Sequence, residues 1–257
     1  MRKSKTLSKL RAKHPVRLCS LGHFIPAFIR HAAHFDYDCV WLDLEHRTMT
    51  TREVQALLAY FHRCDIDCMI RAPTLEKTGL YRYLEDGATG LMIPHVSTAE
   101  KARTLVNAVK FPPLGDRGLD GAGLDSDFIL DGGDAYIDDA NRETFLVVQI
   151  ETPQAVENVD EIAAVDGVDA LFIGPGDLGL RIKRTSTELT MQEAFQRVAD
   201  SANQHGKAWG CPANSPQHVR EFYDQGARLI AYGNDFLSFM HMLKNSSSEL
   251  DAVYQTA

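Results

Sequence analysis

The chain of 257 residues lacks the features that mark several classes of protein. It has no run of the roughly 18 consecutive apolar residues that a membrane-spanning helix requires, so we expect no membrane partner. Positive charge is scarce, because 27 Lys and Arg residues face 35 Asp and Glu residues and leave a net charge of -8. Nucleic acids are bound by clustered Lys and Arg, so this balance argues against a nucleic-acid partner.

The five cysteines form neither a disulfide framework nor a zinc site. Their number is odd and no CxxC pair occurs, so we expect a reducing, cytoplasmic location. The opening stretch MRKSKTLSKLRAKHPVRL is basic and free of acids, a composition similar to that of a transit peptide. Its apolar residues are spaced like one face of a short helix, so we predict an N-terminal surface helix instead.

Short runs rich in Val, Ile and Leu alternate with longer stretches of helical period. This alternation is typical of repeated βα units around a parallel sheet. Eight such units in a chain of this length favour a single α/β domain over residues 1–257, a (β/α)8 TIM barrel. The predicted strands are residues 16–22, 38–44, 67–72, 90–96, 145–151, 170–174, 208–213 and 228–233.

The connections between these runs contain capped helix patterns and one long interruption. Thr51, Ser97 and Ser215 are predicted to cap helices, and Pro153 is predicted to open one helix that runs to Val165. Residues 111–143 are rich in Gly and Asp, and they are predicted to form a long loop insertion of the kind that serves as a lid, binding loop or subunit contact. The segment lacks the ligand order of a calcium loop.

Two carboxylates follow neighbouring strands at their carboxyl ends. In a parallel barrel these ends converge on one mouth, and Glu151 follows the fifth run while Asp177 follows the sixth. Two hard oxygen ligands suit Mg²⁺ or a similar ion whose remaining positions stay open for water and substrate. The alternative is that Glu151 caps the helix at Pro153 and Asp177 caps a turn. Their occurrence on adjacent strands favours the metal site.

Arg71 and His46 also stand at strand ends. Arg71 follows the apolar run DCMI, and its planar guanidinium suits a carboxylate ligand, although a core ion pair with Asp43 is an alternative that is compatible with this role. His46 lies just past the second run, where an imidazole accepts a proton near neutral pH. A neighbouring carboxylate is expected to orient it.

Six motifs in this order resemble the HpcH/HpaI family over nearly the whole chain. The family comprises metal-dependent class II pyruvate aldolases, related to 2-keto-3-deoxy-glucarate and 4-hydroxy-2-oxo-heptanedioate aldolases. The motifs are WLDLEH (41–46), IRAP (70–73), YLEDGATGLMIPHVSTAEKA (83–102), FPPLGDRG (111–118), VVQIET (147–152) and GVDALFIGPGDL (167–178).

The resemblance implies a role for each candidate residue. Glu151 and Asp177 would hold a divalent ion, Mg²⁺, Mn²⁺ or Co²⁺, and Arg71 would bind the pyruvyl group of the substrate. His46 would be the catalytic base, supported by Asp43. The implied reaction is reversible cleavage of a 4-hydroxy-2-oxo acid to pyruvate, or a close analogue such as hydroxypyruvate, and an aldehyde.

Further implications concern the substrate carboxylate and the assembly. Gln149 would line the site, and the backbone amides of Gly176 and Asp177 would meet the substrate carboxylate. The family also implies a homo-hexamer, a dimer of trimers that exchange their last helices. In this chain the stretch LDGAGLDSDFIL after the motif ending in RG departs from the family pattern, which predicts an altered wall of the substrate pocket.

Three other functions are compatible with part of the pattern. A Schiff-base aldolase needs a desolvated lysine at the mouth, and Lys183, in a predicted loop after the sixth strand, is its only candidate. A citramalyl- or malyl-CoA-type lyase would need a basic surface for the CoA phosphates, which the acidic segment GLDSDFILDGGD disfavours. The third is a non-catalytic barrel that binds a keto acid.

Overall fold

The computed structural model describes residues 1–254, which form a closed barrel of eight parallel strands. Each strand pairs with its sequence neighbours, and β1 closes the barrel against β8. The predicted TIM barrel and all eight predicted strands are therefore confirmed. The strands are β1 Val16–Leu21, β2 Cys39–Asp43, β3 Asp67–Arg71, β4 Gly90–Ile93, β5 Phe145–Ile150, β6 Ala170–Ile173, β7 Ala208–Pro212 and β8 Leu229–Asn234.

Twelve α-helices and one short 3-10 helix (Leu124–Ser126) accompany the strands within residues 1–254. The predicted N-terminal helix is present as α1. The α-helices are α1 Lys5–Arg11, α2 Pro26–His34, α3 Thr51–Arg63, α4 Lys77–Glu85, α5 Ala99–Val109, α6 Asp134–Glu143, α7 Pro153–Glu157, α8 Val159–Ala163, α9 Pro175–Arg184, α10 Met191–Gln204, α11 Pro216–Asp224 and α12 Asp235–Tyr254.

Alternate residues of each strand point into the barrel, as the pleat of a strand requires. The interior is filled by apolar side chains such as Met69, Val147 and Phe172, and Leu7 of α1 packs with them from the amino end of the strands. The outward-facing residues pack against the surrounding helices in a second, larger cluster. Near the carboxyl end of each strand, the inward-facing residues beyond the last apolar layer lie at the mouth of the barrel.

Several predicted boundaries differ from the structure. The caps of α3 and α5 are Thr50 and Thr98, each one residue from the position that the sequence suggested. The predicted helix from Pro153 to Val165 is two short helices, because Asn158 leaves helical geometry and its side chain donates a hydrogen bond to the Ser97 carbonyl at 2.8 Å.

The prediction of a long loop over residues 111–143 is wrong for its last 10 residues, which form helix α6. Tyr136 and Ala140 lie one turn apart on α6 and pack against Phe111, with the Phe111 and Tyr136 ring centroids 5.9 Å apart. Arg117 and Asp125 form a buried ion pair at 2.8 Å, and the Tyr136 hydroxyl links this pair to α6 because it donates to Asp125 Oδ2 at 2.7 Å. The sequence hid this helix because Asp residues surround its two buried apolar positions, Tyr136 and Ala140.

The N-terminal segment is held to the barrel by one fully buried carboxylate. Asp67, the first residue of β3, accepts hydrogen bonds from the Ser4 hydroxyl at 2.7 Å and from the Thr6 amide at 2.8 Å. Its second oxygen lies 3.2 Å from the Arg2 guanidinium. The Ser4 hydroxyl and the Thr6 amide are shielded from water. Loss of the Asp67 carboxylate would therefore leave these buried donors without an acceptor.

We expect Asp67→Asn to lower the free energy of unfolding by about 2 kcal/mol, since an amide cannot accept from all three donors. Asp65→Asn is the matched control, because Asp65 contacts Arg2 and Lys5 at an exposed position, and surface pairs contribute less than about 1 kcal/mol. Chemical denaturation of both variants checks the prediction. Equal losses would show that the buried acceptor has no special role.

Candidate active site

Glu151 lies at the mouth of the barrel, directly after β5. Phe145 and Val147 point into the barrel, and Gln149 and Glu151 continue the same alternation toward the carboxyl end. Only 3% of the Glu151 surface is exposed. The alternative in which Glu151 caps α7 is wrong, because the cap is Thr152, whose hydroxyl accepts from the Ala155 amide at 3.0 Å.

The Glu151 carboxylate is held by the loop that follows β4. Its Oε1 accepts a hydrogen bond from the His95 amide at 2.7 Å, and the His95 Nδ1 lies 3.2 Å from the same oxygen. Burial raises the pKa of Glu151, the hydrogen bond from His95 opposes this, and the negative charges of Glu45 and Asp177 raise the pKa further. Glu151, Glu45 and Asp177 therefore share one electrostatic environment.

Asp177 stands in the first turn of α9, which begins directly after β6. Its carboxylate and backbone carbonyl accept hydrogen bonds from Arg181, one turn further along the helix. This interaction holds the pKa of Asp177 below its ordinary value. The amides of Gly176 and Asp177 belong to the same first turn, where backbone N–H groups have no acceptor within the helix and point toward an incoming anion.

Arg71 and Asp43 form a two-point ion pair across the neighbouring ends of β3 and β2. The Arg71 Nε donates to Asp43 Oδ1 at 2.9 Å and Nη2 donates to Oδ2 at 2.8 Å. The guanidinium also lies over the Trp41 ring, 4.7 Å from its centroid. Burial raises the pKa of Asp43, but the hydrogen bonds and charge of Arg71 lower it by more. Arg71 is thus fixed in orientation while its third nitrogen, Nη1, faces Glu45 at 3.1 Å.

His46 lies on the exposed turn after β2. Its Nε2 is 3.6 Å from Glu45 Oε2, and 54% of its side chain is exposed. Asp43 supports this turn through the backbone, because its Oδ1 accepts from the Glu45 amide at 3.1 Å and the His46 amide at 3.4 Å. The carboxylate that faces the imidazole is Glu45.

The sequence reasoning assigned no role to Glu45 or His95. Glu45 bridges the site, since its carboxylate lies 3.1 Å from Arg71, 3.6 Å from His46 and 3.8 Å from the His95 Nε2. His95 has a left-handed backbone, with φ of +54°, and its carbonyl accepts from Lys101 at 2.8 Å. Its position two residues past β4 is the kind of signal that identified the other candidates, but the predicted strand 90–96 contained His95, whereas β4 ends at Ile93.

The donor set fits a hard divalent cation. Glu151 and Asp177 offer carboxylate oxygens, and Gln149 Oε1 is buried with no hydrogen-bond partner among the described residues. Gly174, the last residue before α9, leaves room for Glu151, because a Cβ there would lie 2.3 Å from Glu151 Oε2. Across residues 1–254, no three His, Cys, Asp or Glu side chains converge as a metal cluster.

A cavity of about 250 Å³ occupies the other half of the mouth. Trp41, Asp43 and Arg71 line it together with residues from the ends of β1 and β8 and the start of α12. Arg71 therefore belongs both to the acidic side of the mouth and to this cavity. None of residues 118–135 lines this cavity. The segment instead contacts α4, with Gly118 against Tyr81 and Leu124 against Gly87.

The lysine predicted as the best Schiff-base candidate lies elsewhere. Lys183 is in α9 rather than in a loop, and it is exposed. Lys101, on α5, comes closer to the site through its bond to the His95 carbonyl, and burial lowers its pKa. The Lys101 amino group is therefore occupied by this hydrogen bond.

No helix within residues 1–254 has both the length and the apolar character needed to cross a membrane.

Comparison with known proteins gives one consistent family. Residues 20–242 match the family described as HpcH/HpaI aldolase/citrate lyase. The chain is 36% identical over 210 residues to a 4-hydroxy-2-oxovalerate aldolase of Novosphingobium aromaticivorans, covering 79% of this chain and 78% of that one. It is 36% identical over 228 residues to a hydroxypyruvate/pyruvate aldolase of Delftia acidovorans, covering 88% and 84%.

A solved structure leads to the same family. The crystal structure of an HpcH/HpaI aldolase from Desulfitobacterium hafniense superimposes with a TM-score of 0.85 at 27% identity, covering 95% of both chains. The fold is that of an α/β barrel, and the relatives named as aldolases place the chain among enzymes of the carbon–carbon lyase class. The chain belongs to the HpcH/HpaI aldolase family, which confirms the resemblance and the prediction of a lyase.

Proposed function

We propose that this protein is a divalent-metal-dependent aldolase. It cleaves a 4-hydroxy-2-oxo acid reversibly to pyruvate, or a close analogue such as hydroxypyruvate, and an aldehyde. The observation that carries the proposal is the convergence of Glu151, Asp177 and Arg71 from β5, α9 and β3 on one mouth. The related chains named as aldolases of hydroxypyruvate, pyruvate and 4-hydroxy-2-oxovalerate support this reaction type.

Glu151 and Asp177 would hold the ion, which we propose to be Mg²⁺, Mn²⁺ or Co²⁺. When bound, the ion would supply Lewis acidity that polarises the 2-oxo group of the substrate. Each carboxylate has one hydrogen-bonded anchor, His95 for Glu151 and Arg181 for Asp177. These anchors fix the orientation of the ligands, as hydrogen bonds from surrounding groups commonly do at metal sites.

The remaining residues bind the 2-oxo acid and move the proton. The amides of Gly176 and Asp177 receive the substrate carboxylate at the positive end of α9. Arg71 donates to the pyruvyl oxygens with a guanidinium that Asp43 and Trp41 hold in one plane. Gln149 lies within the same wall of the barrel.

His46 acts as the base in cleavage. It takes the proton of the 4-hydroxyl group, the C3–C4 bond breaks, and the carbonyl of the departing aldehyde forms. The electron pair of the broken bond forms the C2–C3 double bond of an enolate as the 2-oxo oxygen takes the negative charge, and a proton then adds to the CH2 carbon to give the methyl group of pyruvate. Glu45 stabilises the protonated imidazole at 3.6 Å, and the exposure of His46 lets it exchange the proton with water.

Aldol addition in the presence and absence of a chelator tests this proposal. We expect pyruvate and an aldehyde panel to give adducts with Mg²⁺ or Mn²⁺, to give none after EDTA, and to recover on addition of metal. Borohydride with pyruvate should leave the protein mass unchanged, because no lysine amine forms an imine. Adduct formation that survives complete metal removal, or a trapped lysine, would contradict the proposal.

Gly174→Ala should weaken metal binding without unfolding the barrel. The new methyl would lie 2.3 Å from Glu151 Oε2 and displace that carboxylate, so we expect metal affinity to fall about 10–100-fold. Gly179→Ala is the control on the same helix, where the nearest atom is Met191 Sδ at 3.9 Å. Mn²⁺ titration by calorimetry measures both. Equal affinities for the two variants would show that Glu151 does not contact the ion.

We also propose that the protein is a homo-hexamer with exchanged C-terminal helices. Helix α12 exposes Met240 and Leu243, both 64% exposed, although it is 20 residues long. An apolar groove of about 500 Å³ runs over the outer faces of β1 and β8, bordered by Tyr37 and Tyr232. In a TIM barrel a helix normally packs over the outer faces of the first and last strands. The α12 helix of a second copy would cover the groove, and its exposed apolar side chains would be buried there.

Light scattering tests the assembly. We expect a hexamer for the wild type and smaller species for Leu243→Glu, because a buried charge in the exchanged helix is costly. Leu75→Glu, at a residue 51% exposed on another surface, is the control. A wild-type monomer would contradict the proposal.

All five cysteines have free thiols, which supports a reducing cytoplasm as the proposed location.

A further inference from the structure

A basic pocket lies at the amino ends of the strands, on the face of the barrel opposite to the mouth. This amino-end pocket has a volume of about 230 Å³ and is bordered by α1, by the residues directly before β7 and β8, and by the turns after α10 and α11. The charged residues that line it are Arg11, Lys13, Lys207 and Arg228, and no acid lines it within residues 1–254. Four positively charged residues thus surround one concavity in a chain whose net charge is -8, and such a pocket attracts anions.

The positive charge of the amino-end pocket is largely unpaired. Among the described residues, no carboxylate lies within 4.0 Å of the charged groups of Lys13, Lys207 and Arg228. Lys207 has one long hydrogen bond, 3.4 Å from its amino group to the Val165 carbonyl. Arg11 has an acidic neighbour, because its Nη1 lies 3.8 Å from Glu143. Three of the four charges therefore lack a counter-ion in the part of the chain that the structure describes.

Arg228 has a structural role that occupies only part of its guanidinium. Its Nε donates to the Lys13 carbonyl at 3.0 Å, and its Nη1 donates to the carbonyls of Tyr223 and Ala227 at 3.1 and 2.8 Å. These bonds join α1 to the start of β8 and satisfy carbonyls at the end of α11, which is a common role for a cation there. Nη2 makes none of these bonds, and the carbonyls carry no formal charge, so the guanidinium can still bind an anion.

Lys13 occupies a backbone position that ordinarily favours glycine. Its φ is +57°, its amide donates to the Leu10 carbonyl at 3.0 Å, and the His14 amide donates to the Lys9 carbonyl at 2.8 Å. This is the Schellman pattern of a helix end, in which the left-handed residue is usually Gly. A lysine there costs backbone strain, and strain of this kind is concentrated at binding and catalytic sites.

A buried donor without a partner lies beside the amino-end pocket. The indole Nε1 of Trp209 is buried and has no hydrogen-bond partner among the described residues. Gly226 lines the pocket, and a Cβ there would lie 3.8 Å from this nitrogen. Because Gly226 has no side chain, the space beside the indole donor stays open to a ligand atom.

We propose that the amino-end pocket binds a small phosphorylated molecule. Its cations come from α1 and from the starts of β7 and β8, so they approach a ligand from several directions, which suits a tetrahedral phosphate better than a planar carboxylate. Lysine is a common phosphate ligand because its ammonium acts as a point charge. The volume equals that of about eight waters at about 30 Å³ each, which leaves room for a phosphate and a short carbon chain.

The proposed site is separate from the sites described above. The amino-end pocket shares no lining residue with the cavity at the mouth or with the apolar groove assigned to α12. The inference therefore goes beyond the proposed aldolase function and does not depend on it. It gives the protein a second ligand, bound on the face of the barrel that the reaction does not use.

Calorimetric titration with 3-phosphoglycerate tests the proposal. The protein is kept in excess Mg²⁺ and pyruvate, so that ligands of the mouth are competed. Glycerate is the same molecule without the phosphate, and propane-1,2,3-tricarboxylate has the same charge without a phosphate. We expect the wild type to bind 3-phosphoglycerate at least about tenfold more tightly than either, and this binding to weaken as ionic strength rises.

Variants of the two unpaired lysines locate the binding. Lys13→Gly and Lys207→Ala should each raise the Kd for 3-phosphoglycerate about fivefold, because each removes one charge from the pocket. Lys13→Gly also relieves the left-handed strain, so its midpoint of thermal unfolding should not fall and the weaker binding cannot be assigned to unfolding. Lys3→Ala is the matched loss of charge at an exposed residue outside the pocket, and it should leave Kd unaltered.

Three results would overturn the inference. One is a wild-type protein that does not bind 3-phosphoglycerate. Another is binding that Lys13→Gly and Lys207→Ala leave unchanged, or that Lys3→Ala weakens equally, since the ligand would then lie at the mouth or on the general surface. The third is equal or tighter binding of propane-1,2,3-tricarboxylate, which would show that the pocket responds to charge and does not select phosphate.

Discussion

Glu151→Gln should abolish turnover while the protein stays folded. We expect kcat to fall at least about 1,000-fold, because the amide loses the charge that would hold the ion and with it the polarisation of the 2-oxo group. The fold should persist, since Gln keeps the size of the side chain and an oxygen that accepts from the His95 amide. Removal of a buried carboxylate whose pKa is raised by burial also removes a desolvation cost.

Turnover and thermal unfolding of the same preparation check this prediction. Glu157→Gln is the matched control, because Glu157 is an exposed acid at the end of α7, six residues along the chain. It should retain both activity and stability. If Glu151→Gln unfolds the protein while the folded fraction keeps its specific activity, then Glu151 is a structural residue and the metal site lies elsewhere.

Arg71→Lys should lower both activity and stability although it conserves the charge. A lysine cannot donate to two Asp43 oxygens and to Glu45 at once, nor can it lie flat on Trp41. We expect kcat/KM for pyruvate to fall about 100-fold, since the 2-oxo acid loses an oriented donor. The free energy of unfolding should fall by about 2 kcal/mol because the buried Asp43 loses one of the two charged hydrogen bonds that it accepts from Arg71.

Steady-state kinetics and chemical denaturation measure the two effects separately. Arg82→Lys, at an exposed position on α4, is the control and should change neither quantity appreciably. A full loss of activity with unchanged stability would show that Arg71 binds substrate but does not anchor Asp43. Unchanged activity would remove Arg71 from the proposed site.

The positions of the strand ends could be predicted from the sequence because they follow from local patterns. The apolar run before Glu151 has the length of a strand, and the pleat then places Glu151 on the inward side together with Gln149. Parallel pairing brings the ends of all eight strands to one mouth, so the acids and Arg71 could be grouped before their contacts were known.

The residues that were missed depend on turn conformations that no periodicity encodes. His95 reaches Glu151 through a backbone amide, and this requires its left-handed φ of +54°. Glu45 becomes the bridge between Arg71 and His46 only through the turn that Asp43 holds by two backbone hydrogen bonds. Helix α6 forms because Tyr136 packs on Phe111, a contact across 25 residues of chain that the local composition obscured.

Exchange of the pyruvate methyl protons with deuterium, followed by proton NMR, tests the central claim most directly. It reports the formation of the pyruvate enol without an aldehyde, and so it isolates the step that Glu151, Asp177 and Arg71 are proposed to support. The account predicts exchange with Mg²⁺ or Mn²⁺, loss of exchange after chelation, recovery on addition of metal, and no exchange by Glu151→Gln. Exchange that persists in the metal-free protein or in Glu151→Gln would contradict it.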